Sequence, residues 1–386
     1  MKTLTLVTTS YPVNADGSEA AGSFVADLVQ MLSKHVFVRV VAPGPHAKQE
    51  VVSERITVHR FAAPSKPLST LRPWKLADVL WTYRVLHGGM QATRQAAVGS
   101  DHIFALWALP SGEWARRTAV ELGISYSVWM LGSDIWSLGR VPLLRRMLRK
   151  VIRQASHAYA DGIKLALDAE TIAERSIVFL PSTRAISAGT TPAPRPQGPY
   201  RLLFLGRWHP NKGIDLLLKA LNLLTDAEWQ HIQCVDIQGG GPMKALVQAE
   251  VGKLQAAGRP VVLGGFLAKE EAVQAIALSD WLLIPSRIES IPVVFSDAMK
   301  LGRPVLAMPV GDLPSLVAGH NLPQGKAQPC GLVAEQVSAY SYAQALRQLL
   351  VNEPSTFATG VQAQAQVFDL PSLTIQIQRE LGFQDE

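Results

Sequence analysis

Two cations flank a short turn in the second half of the chain, Arg207 just after Gly206 and Lys212 just before Gly213. The run from Tyr200 to Gly206 reads as a strand, and the apolar recurrence from Lys212 to Leu224 reads as a helix. Backbone N–H groups and the positive end of the helix dipole gather at such a turn. A guanidinium can grip two phosphate oxygens, and an ammonium adds a compact point charge, so the natural ligand is a diphosphate. The competing reading is an ordinary surface Arg and Lys beside a turn glycine. A second cluster, Gly239-Gly240-Gly241-Pro242, follows the apolar run Cys234–Ile237, where glycines let a ligand approach a strand's carboxyl end. By itself it also fits a flexible turn. It is not GxGxxG, and no GxxxxGK[ST] occurs, which removes most support for nicotinamide-dependent or P-loop chemistry. A third cluster, Pro285-Ser286-Arg287-Ile288-Glu289-Ser290-Ile291-Pro292, follows the apolar run Trp281–Ile284 and leads into a helix carrying Asp297. Carboxylates accept paired sugar hydroxyls, and backbone donors of such a loop can meet phosphate.

These clusters need strands that end where helices begin, and the chain supplies that rhythm throughout. Short β-rich apolar runs alternate with longer amphipathic segments, which argues for parallel α/β layers. At 386 residues the chain exceeds one hydrophobic core, so two domains are expected. Strands are expected at Thr3–Thr9, Val36–Ala42, Ile56–Phe61, Asp101–Trp107, Ser125–Met130, His157–Ala160 and Ser176–Leu180, with helices such as Ser23–Lys34, Trp74–Ala97 and Arg140–Ala155 between them. The segment Pro181–Pro199, rich in Pro, Gly, Ser and Thr, reads as a connector. The expected division is residues 1–181, a linker at 182–199, a second domain at 200–366, and a final helical segment at 367–386.

In order and spacing, Gly206-Arg207, Lys212-Gly213, Gly239-x-Gly241-Pro242, Gly265-Phe266, and Glu289 through Gly302-Arg303-Pro304-Val305 resemble the motifs of glycosyltransferase family four, retaining enzymes with the GT-B fold. In the first half, the stretch from Ala21 to Ala26 resembles the family's glycine before its first helix, here Gly22. Leu106 through Gly112 and Leu131-Gly132-Ser133-Asp134-Ile135 are similar to its acceptor-domain signatures. The resemblance implies an α/β protein of two facing Rossmann-like domains with a cleft between them, the last helix crossing back to the first domain. It implies transfer of a sugar from a nucleoside-diphosphate-sugar, a co-substrate, to a hydroxyl, with no resident cofactor and no metal. Arg207 and Lys212 would hold the diphosphate, Glu289 the donor sugar and Asp297 the ribose, while residues around Gly241 and Phe266 frame the base. Gly22, Gly206, Gly239, Arg287, Ser290 and Ile291 join the implied donor contacts, with Asp134 and Trp107 as candidates toward acceptor or donor sugar. Asp297 stands where the family usually has Glu, and Leu131 where relatives often carry His. The rival readings are a degenerate GT-B protein that binds sugar nucleotide without turnover, and a related GT-B epimerase.

Charge adds a statement about surroundings. Residues 1–190 carry an excess of eight positive charges and residues 191–386 a deficit of two, so the first half holds the whole surplus. Within Arg140–Ala155 the cations Arg145, Arg146, Arg149, Lys150 and Arg153 cluster apart from the apolar positions, with no acid among them. A solvated face is the plain reading; contact with an anionic membrane surface or an anionic glycan is the sharper one. No nucleic-acid recognition module is visible. Met1–Tyr11 reads as a first strand rather than a leader, and no apolar run approaches the roughly 18 residues of a membrane span. Cys234 and Cys330 form no CxxC pair, which fits a reducing cytoplasm, including a peripheral position on the inner face of its membrane. A glycan, glycolipid or small-molecule acceptor in cell-envelope polysaccharide or glycolipid synthesis is the expectation.

Overall fold

The computed structural model describes residues 1–13, 20–64, 75–186, 191–320 and 327–383. They fall into two compact units. The first takes the described residues up to Ser182 together with those from Leu370 onward, and the second those from Thr183 to Asp369.

The first unit is built on β1 (Thr3–Val7), β2 (Phe37–Gly44), β3 (Lys48–Ser53), β4 (Ile56–Ala62), β5 (His102–Leu106), β6 (Ser125–Met130), β7 (Ala158–Ala160) and β8 (Val178–Phe179). Among the described residues these form one sheet in the order β3-β4-β2-β1-β5-β6-β7-β8. Every pairing is parallel except β3 with β4. Helices cover the central strands, burying Leu4, Leu6, Val38, Val40, Ile103 and Phe104, and β5 is buried along its whole length. Strand β3 is absent from the expected strands. It is an edge strand with almost every side chain exposed, so Lys48–Ser53 carries no apolar alternation to betray it.

The second unit holds β9 (Tyr200–Arg207), β10 (Ile232–Gly240), β11 (Val261–Leu263), β12 (Trp281–Ile284), β13 (Val305–Ala307) and β14 (Gly331–Val333), all parallel, in the order β11-β10-β9-β12-β13-β14. Chain order runs outward from β9 in one direction and restarts at β12 in the other. The switch between β9 and β12 opens a crevice at the strands' carboxyl ends, the place where open α/β sheets take ligands.

Two joins differ in detail from the sequence reading. The described part of 182–199 is fastened to the second unit rather than hanging loose. The Thr183 hydroxyl donates to the Phe368 carbonyl at 3.0 Å, Lys300 donates to the Arg184 carbonyl at 2.6 Å, and Asp280 accepts the Arg195 N–H at 2.8 Å. At the other end, helix Leu370–Glu380 belongs to the first unit and packs against helix Ala20–Leu32. Tyr159 donates to Glu380 at 2.5 Å. The expected helix from Trp74 begins at Leu76, and Trp74 lies outside the described residues.

Candidate functional site

The second unit's loops converge at its switch point. Gly206 pairs with Gly239 and Arg207 with Gly240, so glycines line the seam where β9 and β10 end. A side chain at Gly239 would meet the Gly206 carbonyl oxygen at 2.0 Å. The ring of Phe266 fills the space a Cβ on Gly240 would need, and it is 47% exposed. Arg207 is exposed at the strand's end. The chain then makes a short 3-10 turn, Pro210–Lys212, and starts helix Ile214–Leu221 through Gly213.

Gly213 has φ +66°, and a Cβ there would lie 1.8 Å from the Pro285 carbonyl oxygen. The turn after β9 therefore sits directly on the loop after β12. Arg287 locks the two together. Its N–H donates to the Asn211 carbonyl at 2.7 Å, and its guanidinium reaches the Pro210 carbonyl and both oxygens of Asp215, each at 2.7 Å. Those hydrogen bonds hold the Asp215 carboxyl below its ordinary range, against the effect of burial. With the loops fixed, Lys212 donates to Oε1 of Glu289, which also accepts from the Ser286 hydroxyl at 2.9 Å. Glu289 is 10% exposed and Lys212 36%, so the carboxylate is recessed and the lysine reaches in to it from a half-exposed side chain. Two cations and a recessed, oriented carboxylate beside a helix start can meet a diphosphate and the hydroxyls of a sugar attached to it.

Several expected contacts are placed differently. The Arg287 side chain braces loops through Asp215 instead of standing open to a ligand. Ile291 is buried, which leaves only its backbone to the site, while Ser290 is half-buried. Asp297 is wholly enclosed, with Oδ2 held by Arg184 and Oδ1 without a hydrogen-bond partner among the described residues. One methylene shorter than Glu, it is held by Arg184 of the connecting segment. Sequence reasoning misses Arg184, Asp215 and Ser286. Ser286 lies inside a recognised cluster, whereas Arg184 is hidden in a stretch that reads as connector.

In the first unit, chain order switches between β1 and β5, and the loops after β5 and β6 are joined through Asp134. Gly22 is buried in helix Ala20–Leu32, where a Cβ would stand 3.0 Å from the Pro12 nitrogen. Trp107 is half-buried at the end of β5, with φ +70°, and its N–H donates to the Trp129 carbonyl at 2.9 Å. Asp134 is 1% exposed, and its oxygens accept the N–H groups of Ala108 at 2.8 Å, Ile135 at 3.2 Å and Leu131 at 3.3 Å. It joins the loops after β5 and β6 from a buried position, its oxygens already taken by backbone N–H groups. Burial pushes its carboxyl up to about 6, against the pull of those N–H groups.

Comparison with known proteins bears on the family and the fold. Residues 199–352 match the sequence profile of the family Glycosyl transferases group 1. The D-inositol 3-phosphate glycosyltransferase of Kineococcus radiotolerans is 29% identical over 168 residues, 42% of this chain and 39% of that protein. A Bacillus subtilis protein named as a putative teichuronic acid biosynthesis glycosyltransferase, TuaC, is 24% identical over 365 residues, 88% of this chain and 89% of that one. Among solved structures, sucrose-phosphate synthase of Thermosynechococcus elongatus superposes with a TM-score of 0.71 at 15% identity, covering 98% of both chains. HepE of Anabaena, in complex with UDP and glucose, gives 0.66 at 17% identity over 99% of both. Residues 199–352 thus resemble the glycosyl transferases group 1 family, and the chain shares the GT-B fold of these solved structures.

Proposed function

We propose that this protein transfers a sugar from a nucleoside-diphosphate-sugar to an acceptor hydroxyl with retention of anomeric configuration and without a metal ion. The observation that carries the reading is the placement of Arg207, Lys212 and Glu289 on the two loops that flank the β9/β12 switch. The bond between the anomeric carbon and the phosphate oxygen breaks as the acceptor oxygen bonds to the same face. The acceptor's proton passes to the departing phosphate oxygen. Arg207 and Lys212 hold the charge that develops there, and Glu289 positions the donor sugar. UDP in the structure of HepE and the name of TuaC support a UDP-linked donor and an acceptor in cell-envelope polysaccharide or glycolipid synthesis. Such work belongs on the cytoplasmic side of the membrane.

The test is NMR of the first-formed product, with chelator present. A retained anomer and undiminished activity are expected, and an inverted anomer would overturn the mechanism. Lys212→Ala and Arg207→Ala should each lower turnover by about 10², with melting temperature little changed, because exposed cations add little to stability. Leu131, at the position where the resembling family often has His, favours a second reading in which donor is bound without transfer. Slow release of nucleoside diphosphate in the absence of acceptor would exclude it.

A further inference from the structure

Large apolar side chains stand in solvent on one stretch of the first unit. Helix Leu76–Ala97 turns Asp78, Val85, Gly89 and Ala92 inward, yet Val79 is 43% exposed, Leu80 52%, Tyr83 67% and Leu86 45%. Spacings of three and four residues put these four on one side of the helix, in its first three turns. Helix Pro142–Gln154 begins with a smaller pair, Val141 and Leu143, 46% and 67% exposed.

Both groups lie at the same end of the unit. Helix Leu76–Ala97 follows β4 and helix Pro142–Gln154 follows β6, and a helix that links parallel strands starts at the sheet's carboxyl edge. Both pack into one core, through Val85 and Ala92 from the first and Leu148, Val151 and Ile152 from the second. Helix Glu113–Leu122 lies between them. At 1.5 Å per residue, Leu86 is about 15 Å along its helix, so the exposed apolar groups crowd toward that edge.

The charges around them have one sign. Arg145, Arg146 and Lys150 are exposed on the second helix, and Lys75 and Arg84 on or beside the first. Leu143, Arg146 and Lys150 share a face. Arg149 and Arg153 do not count, because both pair with Glu174. The described acids nearby are occupied or hidden: Glu113 is held by Arg116 and Arg117, and Asp78 is buried. An apolar stripe with an aromatic tip, set beside cations, with the nearby described acids either paired (Glu113, and Glu174 to Arg149 and Arg153) or buried (Asp78), matches the boundary of an anionic bilayer, where apolar groups enter and cations meet headgroups. No helix of the described residues is long and apolar enough to cross a membrane.

We infer that these two helices form one docking face for an anionic lipid bilayer. Val79, Leu80, Tyr83, Leu86 and Leu143 enter the headgroup boundary while Arg84, Arg145, Arg146 and Lys150 meet lipid phosphates. The face is separate from the residues assigned to the donor, so it stands whether or not the transfer reading holds.

The full-length protein is floated with phosphatidylcholine vesicles, with and without about one-third phosphatidylglycerol, across a salt series. Binding to the anionic vesicles that weakens with salt is expected, with little binding to the neutral ones. Arg145→Gln/Arg146→Gln/Lys150→Gln should weaken it on the order of a hundredfold at low salt, at roughly fivefold per cation. Leu80→Ser/Tyr83→Ser/Leu86→Ser should remove the part of binding that survives salt, with melting unchanged because these side chains are already exposed. No vesicle binding by the wild type would overturn the inference, as would an apolar variant that binds like the wild type. A wild-type dimer that the apolar variant turns into a monomer, without loss of vesicle binding, would show that the face takes a second copy instead.

Discussion

Asp134 shows how one buried carboxylate can brace two loops at a sheet's edge. Its oxygens take three backbone N–H groups from the loops that end β5 and β6, yet full burial still raises its proton affinity to a pKa of about 6. The native state therefore binds this proton more tightly than the unfolded chain does. Stability from this group is fully present below the ordinary carboxylate pKa of 3.8 and is lost as pH rises toward and through 6. The loss amounts to something on the order of 3 kcal/mol. Asn cannot ionise, so Asp134→Asn should narrow its stability deficit, or reverse it, between pH 4 and pH 7. Urea melts of both proteins at the two values check this, and an equal gap at both would show that the carboxyl does not titrate in this range. The same residue illustrates what sequence leaves hidden. Gly-Ser-Asp is legible as a motif, but whether its carboxylate faces solvent or two loops depends on tertiary packing. Asp297 teaches the same lesson, since nothing in the spacing of the sequence places Arg184 against it.

At the scale of elements, the parallel strands are legible because they are short, β-rich and largely buried, β5 and β12 along their whole length. The exposed edge strand β3 is not, for the opposite reason. Turns carry more information than helices. Gly206, Gly239 and Gly241 stand out in the sequence as donor-facing and Gly213 as a turn glycine, and the geometry gives Gly213 a definite task, the seating of the β9 turn on the β12 loop. Gly213→Ala would face a left-handed backbone angle and a Cβ 1.8 Å from the Pro285 carbonyl oxygen. Gly258 supplies a control, with φ +74° and open space, nothing within 4 Å, where a Cβ would stand. Alanine at Gly258 should cost about 1 kcal/mol, the backbone penalty alone. Alanine at Gly213 should cost about 2–4 kcal/mol, because the Pro285 backbone must also shift. That corresponds to a fall of roughly 4–16 °C in the melting of the second unit. Since Glu289 lies four residues past Pro285, the Gly213 variant should also lose donor affinity, and the Gly258 variant should not. Calorimetry with and without UDP separates the two, and equal losses would remove Gly213 from the site's support.

The whole molecule is discontinuous in sequence: the chain completes the second unit at Asp369 and returns to finish the first. The returning helix, Leu370–Glu380, buries Leu370, Thr374, Ile377 and Gln378, and its Glu380 accepts from Tyr159. Beyond it, Phe383 meets the ring of His102 edge-on at 6.3 Å, and Gln378 accepts at its carbonyl the N–H of Phe383 at 2.8 Å. Amphipathic spacing alone marks this stretch as a helix, while its assignment to the first unit rests on resemblance, because a helix's spacing does not name its partner. Removing residues 370–386 uncovers apolar surface on helix Ala20–Leu32 and strips Tyr159 of its acceptor. Burial of two or three such side chains is worth several kcal/mol, at about 1.5–3 kcal/mol each. The second unit keeps every strand of its sheet and every residue of the β9/β12 site. A chain ending at Asp369 should therefore show a first unit that melts earlier and is cut faster by protease, with peptides from residues 1–182 appearing first. It should still bind nucleoside diphosphate through Arg207 and Lys212. Mass spectrometry of the early fragments reads the first outcome and calorimetric titration with UDP the second. Early cleavage within 200–350, or loss of UDP binding, would show that the last helix supports the second unit instead.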